Sequence, residues 1–330
     1  MELRITHETR YDYSPAVETA QHMAHLRPID TACQRLLRHR LDIFPAPAQC
    51  TETPDVYGNV RTFFSLQAPH TILRVVATSE VATRAPAPAS SAITWEAVRE
   101  RYRYRAGAPW DEAAEFVFAS YHAPRHEAFA AYARASFPPG RALINAACDL
   151  MSRIHTDFTY ESQSTEVNTP ALEALEQRRG VCQDFAHIMI AGLRAMGVPA
   201  RYVSGYLLTQ PPPGQPRLIG SDASHAWVSV YLPDLPGAPD GRGWYDLDPT
   251  NDCVADGRYV TTAWGRIMGY RDTVWTNWYH RPMMLGILTL AYMREQLNAH
   301  NLGTSYPAGR FLDAAAVDAQ GKTLRATHIA

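Results

Sequence analysis

Gly180-Val181-Cys182-Gln183-Asp184-Phe185 sets a single cysteine where a long apolar run begins. The run continues through Ile188, Met189, Ile190, Leu193 and Met196, then meets Gly197 and Pro199. Apolar side chains on most sides predict a buried helix over 182 to about 196, closed by a left-handed glycine. A cysteine in a first helical turn lies at the positive end of the helix dipole, among backbone N–H groups that lack intrahelical partners. Both features favour thiolate over thiol. The same N–H groups can receive an oxyanion.

Downstream of this helix, three strand-like runs are expected over 200–208, 225–232 and 244–248, separated by proline-rich loops at 210–220 and 233–243. One helix on an antiparallel sheet is an α+β arrangement. The second run opens with Ser224-His225-Ala226-Trp227 and the third ends in Asp246-Leu247-Asp248-Pro249-Thr250-Asn251. Thiol, imidazole and carboxylate, in that order, are the parts of a nucleophilic acyl-transfer site. The two aspartates share one strand face, so spacing alone leaves both open as the partner of His225. Asp248, at a strand end set by Pro249, is the better placed.

Bulk composition agrees with an ordinary soluble protein. The 330 residues favour two domains over one, and 46% hydrophobic with 19% charged residues permits a real core. Lysine plus arginine is 31 and aspartate plus glutamate 33, a net charge of −2, which gives no reason to expect nucleic acid or an anionic membrane as partner. No apolar stretch follows Met1, so no secretory signal is expected. The apolar run 283–293 is too short to span a bilayer and reads as a buried strand or helix. Five scattered cysteines without a CxxC pair are neither a disulfide framework nor a zinc site, and the chain reads as cytoplasmic with reduced thiols.

The order of patterns predicts a β-rich unit over 1–83, a linker over 84–92, a catalytic core over 93–265 and a C-terminal extension over 266–330. In the first unit Leu3, Ile5, His7, Tyr11 and Tyr13 alternate until Ser14-Pro15 breaks the pattern. Further strand-like runs lie at 41–44, 62–66 and 72–77, with Tyr57-Gly58-Asn59 as a turn, suggesting a small sandwich or half-barrel. Leu143, Ala147, Leu150, Met151 and Ile154 form one helical stripe, and Thr169-Pro170 reads as an N-cap followed by proline at the first helical position.

Four blocks together carry a resemblance: 180–187 (Gly-Val-Cys-Gln-Asp-Phe-Ala-His), Ala200-Arg201-Tyr202-Val203-Ser204-Gly205-Tyr206, Ser224-His225-Ala226-Trp227 and Asp248-Pro249-Thr250-Asn251. They resemble the bacterial transglutaminase-like proteins, often described as cysteine protease candidates. His7-Glu8-Thr9-Arg10-Tyr11, Gly58-Asn59 and Pro69-His70 resemble the N-terminal β domain of that family. The resemblance covers about residues 1–265. It implies a papain-like helix-plus-sheet core without cofactor or metal, in which Cys182 is the nucleophile, His225 the base and acid, and Asp248 the orienting carboxylate. After Ala263-Trp264-Gly265-Arg266 the match fails, since the family usually continues with a short aspartate-containing segment and a closing strand.

Other residues receive plainer readings. His187 is expected to serve structure, because it sits five residues past Cys182 and turns away from the sulfur. Gln183 and Asp184 are expected to cap or brace the helix start, and Tyr160 to be a core tyrosine rather than one whose hydroxyl reaches the cleft. Cys33, Cys50, Cys148 and Cys253 read as packing residues or free thiols. His22-Met23-Ala24-His25 has metal-like spacing without a nearby third ligand and reads as sheet or surface. Arg101-Tyr102-Arg103-Tyr104-Arg105 reads as a solvated strand face rather than a single-strand binder. The expected activity is cysteine-dependent acyl transfer on an amide of a protein or peptide, by hydrolysis in preference to transamidation. A non-catalytic peptide-binding module on the same fold is the rival from another class.

Overall fold

The structure is a computed structural model, and it describes residues 1–107, 111–161, 170–208, 224–235 and 243–266, with the backbone of 274–279. The chain opens with six strands: β1 (Glu2–Val17), β2 (Thr19–Ala24), β3 (Gln34–Phe44), β4 (Gln49–Pro54), β5 (Val60–Leu66) and β6 (His70–Thr83). They form two antiparallel sheets, one ordered β1-β6-β3 and the other carrying β2-β5-β4. Strict alternation in β6 buries Leu73, Val75, Ala77 and Val81, as a strand with one inward face requires. Leu73, Val75 and Ala77, with Val17 of β1, meet Ala20, Phe64 and Leu66 of the facing sheet in one core, which makes this region a sandwich. Ser14-Pro15 does not end the first strand. β1 continues to Val17 with a register shift after Asp12, a lapse that an edge strand tolerates because its free side needs no N–H donor. Gly58, at φ +84°, turns the chain between β4 and β5, and the Asp55 carboxylate accepts from the amides of Tyr57 and Asn59.

Residues 84–93 carry no regular structure but are tied down. The Arg84 amide donates to Cys33 O at 2.9 Å, and Ser91 Oγ donates to the Asp234 carboxylate at 2.6 Å. Helix α1 (Trp95–Arg101) follows, capped by Thr94 Oγ1 accepting from the Ala97 amide. The 101–105 stretch is therefore no strand. The cap outweighs the alternating pattern, and the cations beyond it are neutralised on the spot, Arg101 by Asp111 and Arg103 by Glu100.

Next come α2 (Glu127–Arg134), α3 (Leu143–Asp157), the two-residue β7 (Thr159–Tyr160), α4 (Ala171–Gln177) and β8 (Arg179–Gly180). The five residues of the stripe in α3 are all buried. Pro170 is itself the N-cap of α4, so the helix starts one residue later than expected, because the extended backbone of Pro170 (ψ 139°) cannot count as a helical turn.

The centre of the molecule is α5 (Cys182–Ala195), with Gly197 at φ +79° beyond its end. It packs on one face of a five-stranded antiparallel sheet made of β9 (Ala200–Leu207), β10 (His225–Tyr231), β11 (Trp244–Asp248), β12 (Cys253–Val254) and β13 (Tyr259–Gly265), in the order β12-β11-β10-β9-β13. Ala226, Val228, Val230 and Leu247 supply that face, while α3 and α4 complete the core around the helix. β13 escapes the sequence patterns. It lies against β9, where a Cβ on Gly205 would stand 2.0 Å from Val260 O, so only glycine admits the close approach.

After the sheet, β14 (Val274–Tyr279) returns to the sandwich and pairs antiparallel with β2, Val274 opposite Ala24. The 283–293 run and the 210–220 loop lie outside the described residues, as does most of 233–243. Among the described residues no helix is long and apolar enough to cross a membrane.

Candidate active site

Local structure fixes where α5 starts. β8 pairs in parallel with β7, Tyr160 opposite Gly180, and the Glu161 amide donates to Gly180 O at 2.9 Å. Asp184, three residues into the helix, reaches back so that its carboxylate accepts from the Val181 amide at 2.9 Å. Gly180 leaves room for this, since a Cβ there would lie 2.7 Å from Asp184 Cβ. Asp184 therefore braces the helix start and puts Cys182, half-buried, at the first helical position. The amides of that first turn have no intrahelical partners.

His225 is the first residue of β10, and its side chain is 12% exposed. Nε2 lies 2.7 Å from Asp248 Oδ2, which leaves Nδ1 as the nitrogen for the Cys182 sulfur. Burial alone would push the imidazole down. The hydrogen bonds to Asp248 and Cys182, with the charges of both, carry it instead up to about 10.

Asp248, the last residue of β11, is fully buried and surrounded by donors. Oδ1 accepts from the Thr250 amide at 2.8 Å. Oδ2 accepts from Asn251 Nδ2 at 2.6 Å and Tyr259 Oη at 2.7 Å as well as from His225. Burial pushes this carboxyl up, but the bonds from His225, Asn251 and Tyr259 hold it below the usual carboxylate range.

Asp246, on the same strand face, goes elsewhere. Ser229 stands opposite it in register, and its carboxylate accepts from the Ser229 hydroxyl and from Trp227 Nε1, the latter at 2.9 Å. Register thus separates two aspartates that spacing could not. Cys182, His225 and Asp248 are brought together, and Asp246 anchors the neighbouring tryptophan.

Tyr160 is not a core residue. It is 54% exposed, its ring edge on Phe185, with Cys182, Asp184 and Asp248 near enough, after burial, to push its phenol up. Its two-residue strand ends at the helix start, which is why it emerges beside the sulfur. His187 is buried, stacked on His122 and tilted against Tyr202. The thiols of Cys33, Cys50, Cys148 and Cys253 are free, and burial pushes each of them up. His22 is buried in the sandwich, stacked on Phe64 at 4.6 Å, and both its ring nitrogens lack a hydrogen-bond partner among the described residues. Burial, then the neighbouring His70, pushes it down to about 3. Among the described residues no three His, Cys, Asp or Glu side chains are grouped to hold a metal ion.

Two residues at the site carry no role in the sequence reading. Asn251 belongs to the Asp-Pro-Thr-Asn run, where a side-chain donor three residues past the aspartate is a visible signal. Tyr259 has none, for it reaches Asp248 only through the fold.

Comparison with known proteins matches two stretches of the chain. Residues 3–82 match the family model for the bacterial transglutaminase-like N-terminal region, and residues 130–249 that for the transglutaminase-like superfamily. An uncharacterized protein of Mycobacterium tuberculosis is 42% identical over 305 residues, which cover 90% of this chain and 95% of that one. A protein-glutamine gamma-glutamyltransferase of Pseudomonas aeruginosa is 28% identical over 171 residues, covering 47% of this chain and 24% of that one. The crystal structure of a candidate cysteine protease from Cytophaga hutchinsonii superposes with a TM-score of 0.62 at 20% identity, over 84% of this chain and 85% of that one.

Proposed function

Because the chain belongs to the transglutaminase-like superfamily, we propose that it is a cysteine-dependent acyl-transfer enzyme acting on amide bonds of a protein or peptide. The observation that carries this reading is the 2.7 Å contact of His225 Nε2 with the buried Asp248, on an imidazole that also bonds Cys182. In this reading residues 93–265 form the catalytic unit.

The Cys182 thiolate attacks the amide carbonyl carbon, and the oxyanion that develops is received by backbone N–H groups of the first turn of α5. His225, protonated through Nδ1, gives that proton to the departing amine as the C–N bond breaks and a thioester forms. Asp248 holds the ring in the required orientation and stabilises the imidazolium. Deacylation reverses the roles: His225 takes a proton from water, releasing the acid, or from an amine, releasing a new amide. We favour water as the acceptor. The match to a protein-glutamine gamma-glutamyltransferase supports the amine, although it covers less than half of this chain. The five free thiols fit a reducing, cytoplasmic setting.

The test supplies a glutamine-containing protein together with a labelled primary amine and follows ammonia, cleavage and label. Hydrolysis without label supports peptidase or amidase activity, and incorporation that outruns hydrolysis makes the enzyme a transamidase. Neither product from wild type, with none lost in Cys182→Ala, removes the proposal.

A further inference from the structure

Oδ2 of Asp248 is overcommitted. It accepts from His225 Nε2 at 2.7 Å, Asn251 Nδ2 at 2.6 Å and Tyr259 Oη at 2.7 Å, although one carboxylate oxygen offers about two lone pairs. Donors that share an acceptor divide its charge, so each of them weakens the hold on the other two. Tyr259 is the one furthest away in the fold. It sits at the start of β13, at the other side of the sheet from β12, and crosses to Asp248 past Trp227, whose ring centroid is 5.3 Å from its own.

We infer that the Tyr259 hydroxyl is a positioning and tuning group, which limits the charge Asp248 presents to His225 and so sets the pH range over which Cys182 and His225 exist as thiolate and imidazolium. This rests on the reading of Cys182 as nucleophile. Tyr259 is 6% exposed, and burial, then the charge of Asp248, pushes its phenol far up, so it remains a donor throughout the working range. Behind it the Cys253 sulfur lies 3.3 Å from Tyr259 Oη. Since the phenol proton goes to Asp248, Cys253 S–H is the donor in that contact. It polarises the phenol and strengthens its bond to the carboxylate.

Among the described residues the titratable and charged groups facing this network are Cys182 and Asp184 from α5, Tyr160 from β7, His225 from β10, Cys253 from β12, Tyr259 from β13, and Asp256 and Arg258 between those last two strands. Of these, Tyr259 and Cys253 can be changed without touching the three reacting groups.

The experiment follows alkylation by iodoacetamide against pH in the full chain, read at the Cys182 peptide by mass spectrometry. In Tyr259→Phe the ring stays and the hydroxyl goes, so Asp248 holds the imidazolium more firmly. The midpoint of the Cys182 profile is expected to fall by about 0.5 to 1 pH unit. Cys253→Ala keeps both ring and hydroxyl, and a smaller fall in the same direction is expected. An unmoved or rising midpoint in a folded Tyr259→Phe overturns the inference, because loss of a purely structural bond would loosen Asp248 and weaken the ion pair. Should Tyr259→Phe fail to fold, the Cys253→Ala profile decides by the same criterion. Wild-type Cys182 reacting no faster than the exposed Cys50 at pH 6 would instead remove the nucleophile assignment, and this inference with it.

Discussion

His22 in the sandwich and His225 in the five-stranded sheet are both strand residues with buried imidazoles, yet their affinities for a proton move in opposite directions. His22 stacks on Phe64 with no hydrogen-bond partner among the described residues and is pushed down to about 3. His225 meets the same burial but lies 2.7 Å from a carboxylate and bonds a thiol, and it is carried up to about 10. Removal from water penalises charge in both places, and only a paired counter-charge reverses the sign. A buried histidine therefore says little by itself. What lies within hydrogen-bond reach decides whether it is a spectator or a reactive group.

The contrast can be broken most completely at Cys182. Cys182→Ala should abolish turnover while the circular dichroism spectrum and melting temperature stay near wild type, since the side chain is small and only half-buried. Asp248→Asn should follow, with a loss of about 10³ to 10⁴-fold in kcat, because an amide both forfeits the charge and favours the wrong imidazole tautomer. Asp246→Asn should cost far less rate, as its carboxylate holds Trp227 and Ser229 rather than the ring. Equal losses would show that the wrong aspartate had been assigned.

Stability changes come next. Gly205 lies opposite His225, and Gly205→Ala forces a methyl against Val260 O. Chemical denaturation should show a loss of about 3 kcal/mol. The smallest effect sharpens the comparison through pH. The folded value for His22 lies below its unfolded 6.5, so its contribution is present above pH 6.5 and is lost as pH falls towards 3. His225 lies above 6.5 when folded, so its contribution is present below pH 6.5 and is lost as pH rises through about 10. His22→Leu should flatten the acid limb of stability against pH by up to about 1 kcal/mol per pH unit and leave the alkaline limb alone. An unchanged acid limb would assign acid sensitivity to another group.

Local signals made most of this site legible. A glycine before the cysteine, an apolar helix after it, a histidine opening one strand and an aspartate closing another are features of neighbouring residues. The choice between Asp246 and Asp248 was not local, because it depends on Ser229 standing opposite Asp246. Tyr259 was illegible for the same reason, since its reach to Asp248 is set by strand order and not by spacing. Tyr160 was misjudged because an aromatic residue in a β-like triplet reads as core, whereas its strand is two residues long and lies beside the mouth of the site. The reverse error occurred at 101–105, where alternation looked like a strand and a helix cap decided otherwise.

The pairing of β14 with β2 has a consequence for how the molecule is made. Ala24 leaves the ribosome long before Val274, so the edge of β2 must wait for the strand that covers it until the whole five-stranded sheet has been made. During that interval an unsatisfied strip of backbone is open to other nascent chains. A polypeptide halted after the last strand of the five-stranded sheet would keep Cys182, His225 and Asp248 and still carry that sticky border for good.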